Sequence, residues 1–192
     1  MRVIIIPEDQ SLDRYILQPI VETLFRTLKI PAKVSVLPEP RLRGTSDALD
    51  PVQIRQIITR YPMVDLFLLM VDRDCNREGN EARVAELLRS HPDKLLACVA
   101  HQEIEVFLLA LHRDKLDESW ANIRNHCDPK EAYAEPFLET QSFAGPGRGR
   151  KQAMQALPGH FRSLCSLCDE LQHLSDDIVA FAGRLGTGGN QV

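Results

Sequence analysis

Apolar positions along the chain follow two alternating patterns. Val3–Ile6 and Leu66–Val71 are unbroken apolar runs, as a strand buried on both faces of a parallel sheet requires. Ala32–Leu37 and Leu95–Ala100 also read as strands. Between these runs the apolar residues return at helical spacing: Leu12, Tyr15, Ile16, Ile20, Leu24 and Leu28, then Val84, Leu87 and Leu88 within Glu78–Ser90, then Ile104, Phe107, Leu108 and Leu111 within Gln102–His112. Ser11 is the expected cap of the first helix, with Asp13 in its first turn. Pro19 inside that pattern predicts a kink or two helical pieces. Pro51 suits a first helical position and opens a helix expected to end near Arg60. The alternation implies an α/β fold: a mainly parallel, four-stranded, Rossmann-like sheet with helices on both faces.

After His112 the strand patterns stop. Leu116–His126 reads as helix. Asp128–Arg150 reads as loop, with Pro129, Pro136 and the segment GPGRGRK at 145–151. From about Lys151 a stripe of Phe161, Leu164, Cys168, Leu171, Leu174, Ile178 and Leu185 predicts further helix. The chain therefore divides into an α/β domain over 1–113, a C-terminal helical extension over 114–186 packed on it, and a disordered tail at 187–192.

Composition narrows the functional classes. No stretch approaches the roughly 18–20 apolar residues that span a bilayer, so no membrane role is expected. Acids follow the apolar start MRVIIIPEDQ at once, which makes it a strand rather than a signal sequence. The net charge of −4 gives no global basic field, so phosphate binding must rest on a local patch. Five cysteines without a regular framework point to a reducing, cytoplasmic interior rather than a disulfide scaffold.

The candidate chemistry gathers at predicted strand ends. Asp72 and Asp74 follow the run Leu66–Val71, and if the strand continues that far both side chains share a face. Open parallel sheets bind ligands at this edge, and two carboxylates held there call for a cation between them. A hard divalent ion, Mg²⁺ or Mn²⁺, suits oxygen ligands. Glu8 closes the first strand. Glu103 and Glu105 open the helix after the fourth; two apart, at most one of them faces the same site. Arg148, Arg150 and Lys151 lie among glycines before a helix and suit nucleic-acid phosphates. Each group has a plainer reading, as a solvated loop or as acids at a helix start. Cys165 and Cys168, flanked by His160 and His173, look like a zinc quartet. At about 100° per residue those positions spread over more than half a helix and do not converge.

VIIIPEDQSLDRYIL resembles the start of a response-regulator receiver, with Glu8 and Asp9 as its acids. That likeness ends at DLFLLM, where Met70 replaces the acceptor aspartate. The Toprim fold is the closer resemblance, a metal-binding catalytic domain of topoisomerases, bacterial primases and overcoming-lysogenization-defect nucleases. Its strand ending in Glu is VIIIPE with Glu8, and its Asp-x-Asp is LLMVDRD with Asp72 and Asp74. HQEIEVFLLALH at 101–112 is similar to the Glu-Ile-Glu segment of a Toprim-related family associated with bacterial ATPase-linked defence systems. Asp9 stands where Toprim proteins usually have glycine. The resemblance implies Mg²⁺-dependent nuclease chemistry, with Asp72 and Asp74 on the metal, Glu8 as acid, base or further ligand, and Glu103 or Glu105 in support. The alternatives are a non-catalytic accessory subunit of an ATPase and a receiver-like signalling domain.

Overall fold

The computed structural model describes residues 1–75 and 77–187. Its centre is a four-stranded, all-parallel sheet in the order β2-β1-β3-β4, formed by β1 (Arg2–Pro7), β2 (Lys33–Val36), β3 (Leu66–Asp72) and β4 (Leu95–Ala100). The register pairs Val3 with Leu66 and Pro7 with Met70, so β1 and β3 end side by side. The chain steps from β1 to β2 on one side and from β3 to β4 on the other. The crevice between the carboxyl ends of β1 and β3 is thus a topological switch point, the usual ligand position in open parallel sheets.

Alternate residues of the two central strands feed two separate cores. Val3, Ile5, Leu66, Leu68 and Met70 join the larger core, together with helices α1 (Arg14–Thr27), α5 (Glu105–Leu111), α9 (Leu157–Leu167) and α10 (Asp169–Thr187). Ile4, Ile6, Phe67, Leu69 and Val71 face the other way, against α2 (Thr45–Ala48), α3 (Pro51–Arg60) and α4 (Arg77–Ser90). Burial on both faces is why β1 and β3 carry no polar break. Helices therefore cover both faces, and the α/β reading holds.

Several local expectations change. Pro19 sits within a single helix, α1. One stands: Pro51 opens α3, which ends at Arg60 as expected, and the Asp50 carboxylate caps it by accepting from the Val52 N–H at 2.8 Å. The segment expected to be loop at 128–150 contains a π-turn, Lys130–Ala134, and α7 (Glu135–Thr140). Ahead of it, only α6 (Trp120–Asn125) of the helix expected over Leu116–His126 forms. α8 (Arg150–Ala153) leads through a short 3₁₀ turn into α9. The late helix breaks at Cys168 between α9 and α10; Cys168 is buried and His160 exposed, so the Cys–His quartet does not assemble. Of the expected stripe, Leu185 alone is exposed. Gly183–Thr187 belongs to α10, and the expected tail beyond it lies outside the described residues.

The extension shares the larger core and is pinned by ion pairs. Arg124 on α6 reaches Glu170 on α10 at 2.6 Å with both side chains 13% exposed, and Glu170 also accepts from the His101 N–H at the end of β4. The expectation of free thiols is corrected at one pair. Cys75 and Cys127, 52 residues apart, form a disulfide with a Cα–Cα distance of 5.6 Å. It links the loop after β3 to the loop before the π-turn, a proximity created by the extension folding back. Cys98, Cys165 and Cys168 are free. No helix among the described residues is long and apolar enough to cross a membrane.

Candidate functional site

A cleft of about 600 Å³ opens at the switch point, within the size range of small-ligand sites. Its lining includes five carboxylates, from Glu8, Asp9, Asp13, Asp72 and Glu105. Glu8 follows the last residue of β1, and its burial follows from that of Ile5 and Ile6 before it. Both of its oxygens are engaged: Oε1 accepts from the Asp72 N–H at 3.1 Å, and Oε2 from the Thr45 hydroxyl at 2.6 Å. Glu8 therefore ties the end of β1 to the end of β3 and to α2. Asp72 is the last residue of β3. Its Oδ1 accepts from the Ile104 N–H at 2.8 Å, stapling the strand end to the start of α5.

Asp74 is placed differently from Asp72. The strand stops at Asp72, so period-2 alternation no longer applies; Asp74 lies in the left-handed region, with φ 53°. It sits on the adjoining loop, accepts from Asn80 at 3.4 Å, and is absent from the cleft lining. Its charge still acts on Glu8. Of the two glutamates at the start of α5, Glu105 lines the cleft. Glu103 turns away and accepts from the Lys130 N–H at 2.8 Å.

Asp13 was legible only as a helix-start acid. It is 8% exposed, lines the cleft, and accepts from the Asp9 N–H at 2.9 Å. Arg41 and Arg43, which the sequence offers as the next cations for nucleic acid after those at 148–151, line the cleft. Lys130, which also lines it, and Thr45, which bonds Glu8, were not singled out, because the extension and α2 bring them there.

Burial and mutual repulsion set the electrostatics. Burial holds the Asp72 carboxyl well above its ordinary range, and Glu8, Glu105 and Asp13 push it further the same way. Burial likewise raises Glu8, opposed by its bonds from Thr45 and Asp72. Asp13 is pushed up to about 7, first by burial and then by Glu105, Asp9 and Glu8. Burial also raises Asp74, and it takes Glu103 up to about 7. Asp9 is the exception: although burial pushes it up, the Ser11 hydroxyl and the N–H groups of Ser11 and Leu12 hold it below its ordinary value.

One cation is built into this cluster, and it comes from the extension. Arg150 is fully buried and meets the 4%-exposed Glu105 at 2.6 Å through Nη2, with a second bond from Nε at 3.2 Å. That placement removes Arg150 from the expected nucleic-acid patch. The glycines of GPGRGRK serve packing rather than freedom to approach a strand. Gly149 has φ +85°, and a Cβ there would stand 2.6 Å from the Phe143 carbonyl oxygen. A Cβ on Gly147 would strike the Tyr15 ring. Arg148 remains exposed, 3.8 Å from Glu135, and Lys151 is exposed beside Arg14 and Tyr15, so neither lines the acidic cleft.

Among the described residues no three His, Cys, Asp or Glu side chains converge into a ready-made metal cage. The donor set nonetheless fits magnesium. It is all oxygen, and Mg²⁺ is usually held by one or two carboxylates, with waters and substrate phosphates filling its octahedron. Asp72 keeps Oδ2 outside its bond to Ile104, and a divalent ion would favour the ionised form of carboxyls that burial pushes upward. Set against family models, characterised sequences and solved structures, the chain matches none, so the site is read from its own residues.

Proposed function

We propose that the cleft is a divalent-metal site for phosphodiester chemistry on nucleic acid, a nuclease-type activity of the kind the Toprim resemblance implies. The observation that carries this reading is the buried pair Glu8 and Asp72, joined across adjacent strand ends at the switch point and surrounded by Asp13 and Glu105. Mg²⁺ or Mn²⁺ would be held by Asp72 and Glu8, with Asp74 on the adjoining loop. Once bound, the ion polarises a phosphoryl oxygen and offsets the charge that develops there. Glu8, whose carboxyl burial pushes above its ordinary range and which Thr45 fixes in place, would move a proton at the reacting phosphate. Arg150 keeps Glu105 from adding a further uncompensated charge to the floor.

Calorimetry with Mn²⁺ tests the site. Wild type should bind, and Asp72→Ala combined with Asp74→Ala should abolish binding. Unchanged binding in the double variant rejects the assignment.

A second reading has its own support. Every oxygen of Glu8 and one of Asp72 already serves a structural bond, as expected of a non-catalytic accessory subunit to an ATPase within a bacterial defence system. Cleavage of an oligonucleotide in Mn²⁺ separates the two readings.

A further inference from the structure

The loop between β2 and α2 crosses one wall of the cleft, and it is stitched down residue by residue. The Gln10 side-chain amide clasps its backbone: Nε2 donates to the Pro40 carbonyl at 2.7 Å, and Oε1 accepts from the Leu42 N–H at 3.3 Å. Leu42, 5% exposed, anchors in the smaller core. The Asp47 carboxylate accepts from the Arg43 N–H at 3.0 Å. Gly44, at φ +92°, turns the chain so that Thr45 reaches Glu8. With Leu42 driven inward, Arg41 and Arg43 are left exposed on either side of it, and both line the cleft. Among the described residues, neither guanidinium has an ion-pair partner. Lys130, carried by the extension, lines the same cleft.

The carboxylates of the floor attract these two guanidiniums, but among the described residues no direct ion pair occupies either of them, so their forks stay open to an anion that enters the cleft. Their backbone is fixed by the bonds from Gln10 and Asp47. Arginine forks suit phosphate oxygens, which accept two parallel bonds. Building on the metal reading above, we infer that Arg41 and Arg43 form the clamp for the sugar–phosphate strand, seating neighbouring phosphates while the reacting one lies over Glu8 and Asp72. Substrate binding then needs both the clamp and the divalent ion, because the bare acidic floor repels a strand. The cationic surface that serves nucleic acid is the 41–43 strap and not the 148–151 segment.

The test is fluorescence anisotropy with a labelled single-stranded oligonucleotide in Ca²⁺, which supplies a divalent charge while slowing turnover, at several salt concentrations. Wild type should bind with a salt-dependent affinity. Arg41→Ala with Arg43→Ala should weaken binding about tenfold or more, if each arginine makes a charge-assisted bond. It should also flatten the slope of log affinity against log salt by about 1.4, at about 0.7 per phosphate on a single strand. The variant keeping charge, Arg41→Lys with Arg43→Lys, should retain the slope. Mn²⁺ calorimetry of the alanine variant should match wild type, because neither arginine is a metal ligand. Unchanged affinity and slope in the alanine variant overturn the clamp. So does a wild type that binds Mn²⁺ but no oligonucleotide, which leaves the metal reading standing. If Mn²⁺ also fails to bind, both fall together. A nucleoside monophosphate that competes as well as the oligonucleotide overturns the strand as ligand.

Discussion

Two short basic segments look alike on paper and end in opposite places. Arg41-Leu42-Arg43 leaves both guanidiniums in solvent at the rim of the cleft, whereas Arg148-Gly149-Arg150-Lys151 sends its central arginine into the protein. The intervening residue decides the outcome. Leu42 is apolar and takes the buried position itself, so its neighbours point out. Gly149 has no side chain to bury and sits at φ +85°, which turns the chain so that Arg150 is the residue facing in. There it finds Glu105, 45 residues away in sequence. A cluster of cations is thus a surface only where something else between them fills the core.

The largest effect that tests this contrast falls at Arg150. Arg150→Ala leaves Glu105 buried without its partner, and the expected loss is about 3–5 kcal/mol in urea denaturation. Arg41→Ala should stay within about 0.5 kcal/mol, as an exposed substitution does. Replacing the pair together, Glu105→Gln with Arg150→Met, should recover most of the loss, since neither charge is then stranded. A single variant at Arg150 as mild as one at Arg41 would break the comparison.

A second effect, spread over pH, concerns the acid that Arg150 does not reach. Among the described residues Asp13 has no ion-pair partner, and its folded value is raised from 3.8 to about 7, first by burial. Its contribution to stability is full below the unfolded value, near 4, and is lost as pH rises through about 7. Wild type should therefore lose stability between about pH 4 and pH 7, by up to about 1.4 kcal/mol per pH unit from this one group. Asp13→Asn should remove this group's share of the slope, leaving the parts due to Glu103, Asp72, Glu8 and Asp74. Urea denaturation at several pH values checks it; an equally steep slope in the variant would show that the charge lies elsewhere.

These contrasts also mark what periodicity could and could not carry. Strand positions were legible because burial on two faces forbids polar breaks, and the observed β3 departs from the expected run only by including Asp72. Glu8 and Asp72 were legible as strand-end acids for the same reason. Asp74 was not, because alternation holds only while the strand lasts. The burial of Arg150 and the Cys75–Cys127 bond depend on pairings over long separations, which local patterns do not encode. The break at Cys168, where φ is −126° and ψ 86°, leaves Leu164 and Leu171 on either side fully buried, and no helix-breaking residue marks it in the sequence.

The smallest expected effect belongs to the two cations of the second segment that remain outside. Arg148 has a 75%-exposed side chain and faces Glu135 only at 3.8 Å, a surface pair of the kind that contributes little. Lys151 is exposed on α8, and neither residue lines the acidic cleft. Arg148→Ala with Lys151→Ala should change stability by less than about 0.5 kcal/mol in urea denaturation. It should also leave oligonucleotide affinity and salt slope near wild type, because a phosphate held at 41–43 does not pass over them. This near-silent result carries weight because Arg41→Ala with Arg43→Ala removes the same amount of charge from the same chain. General attraction of a polyanion to lost positive charge would weaken both variants alike. Only a located clamp separates them, so equal losses in the two variants would erase the difference between the segments.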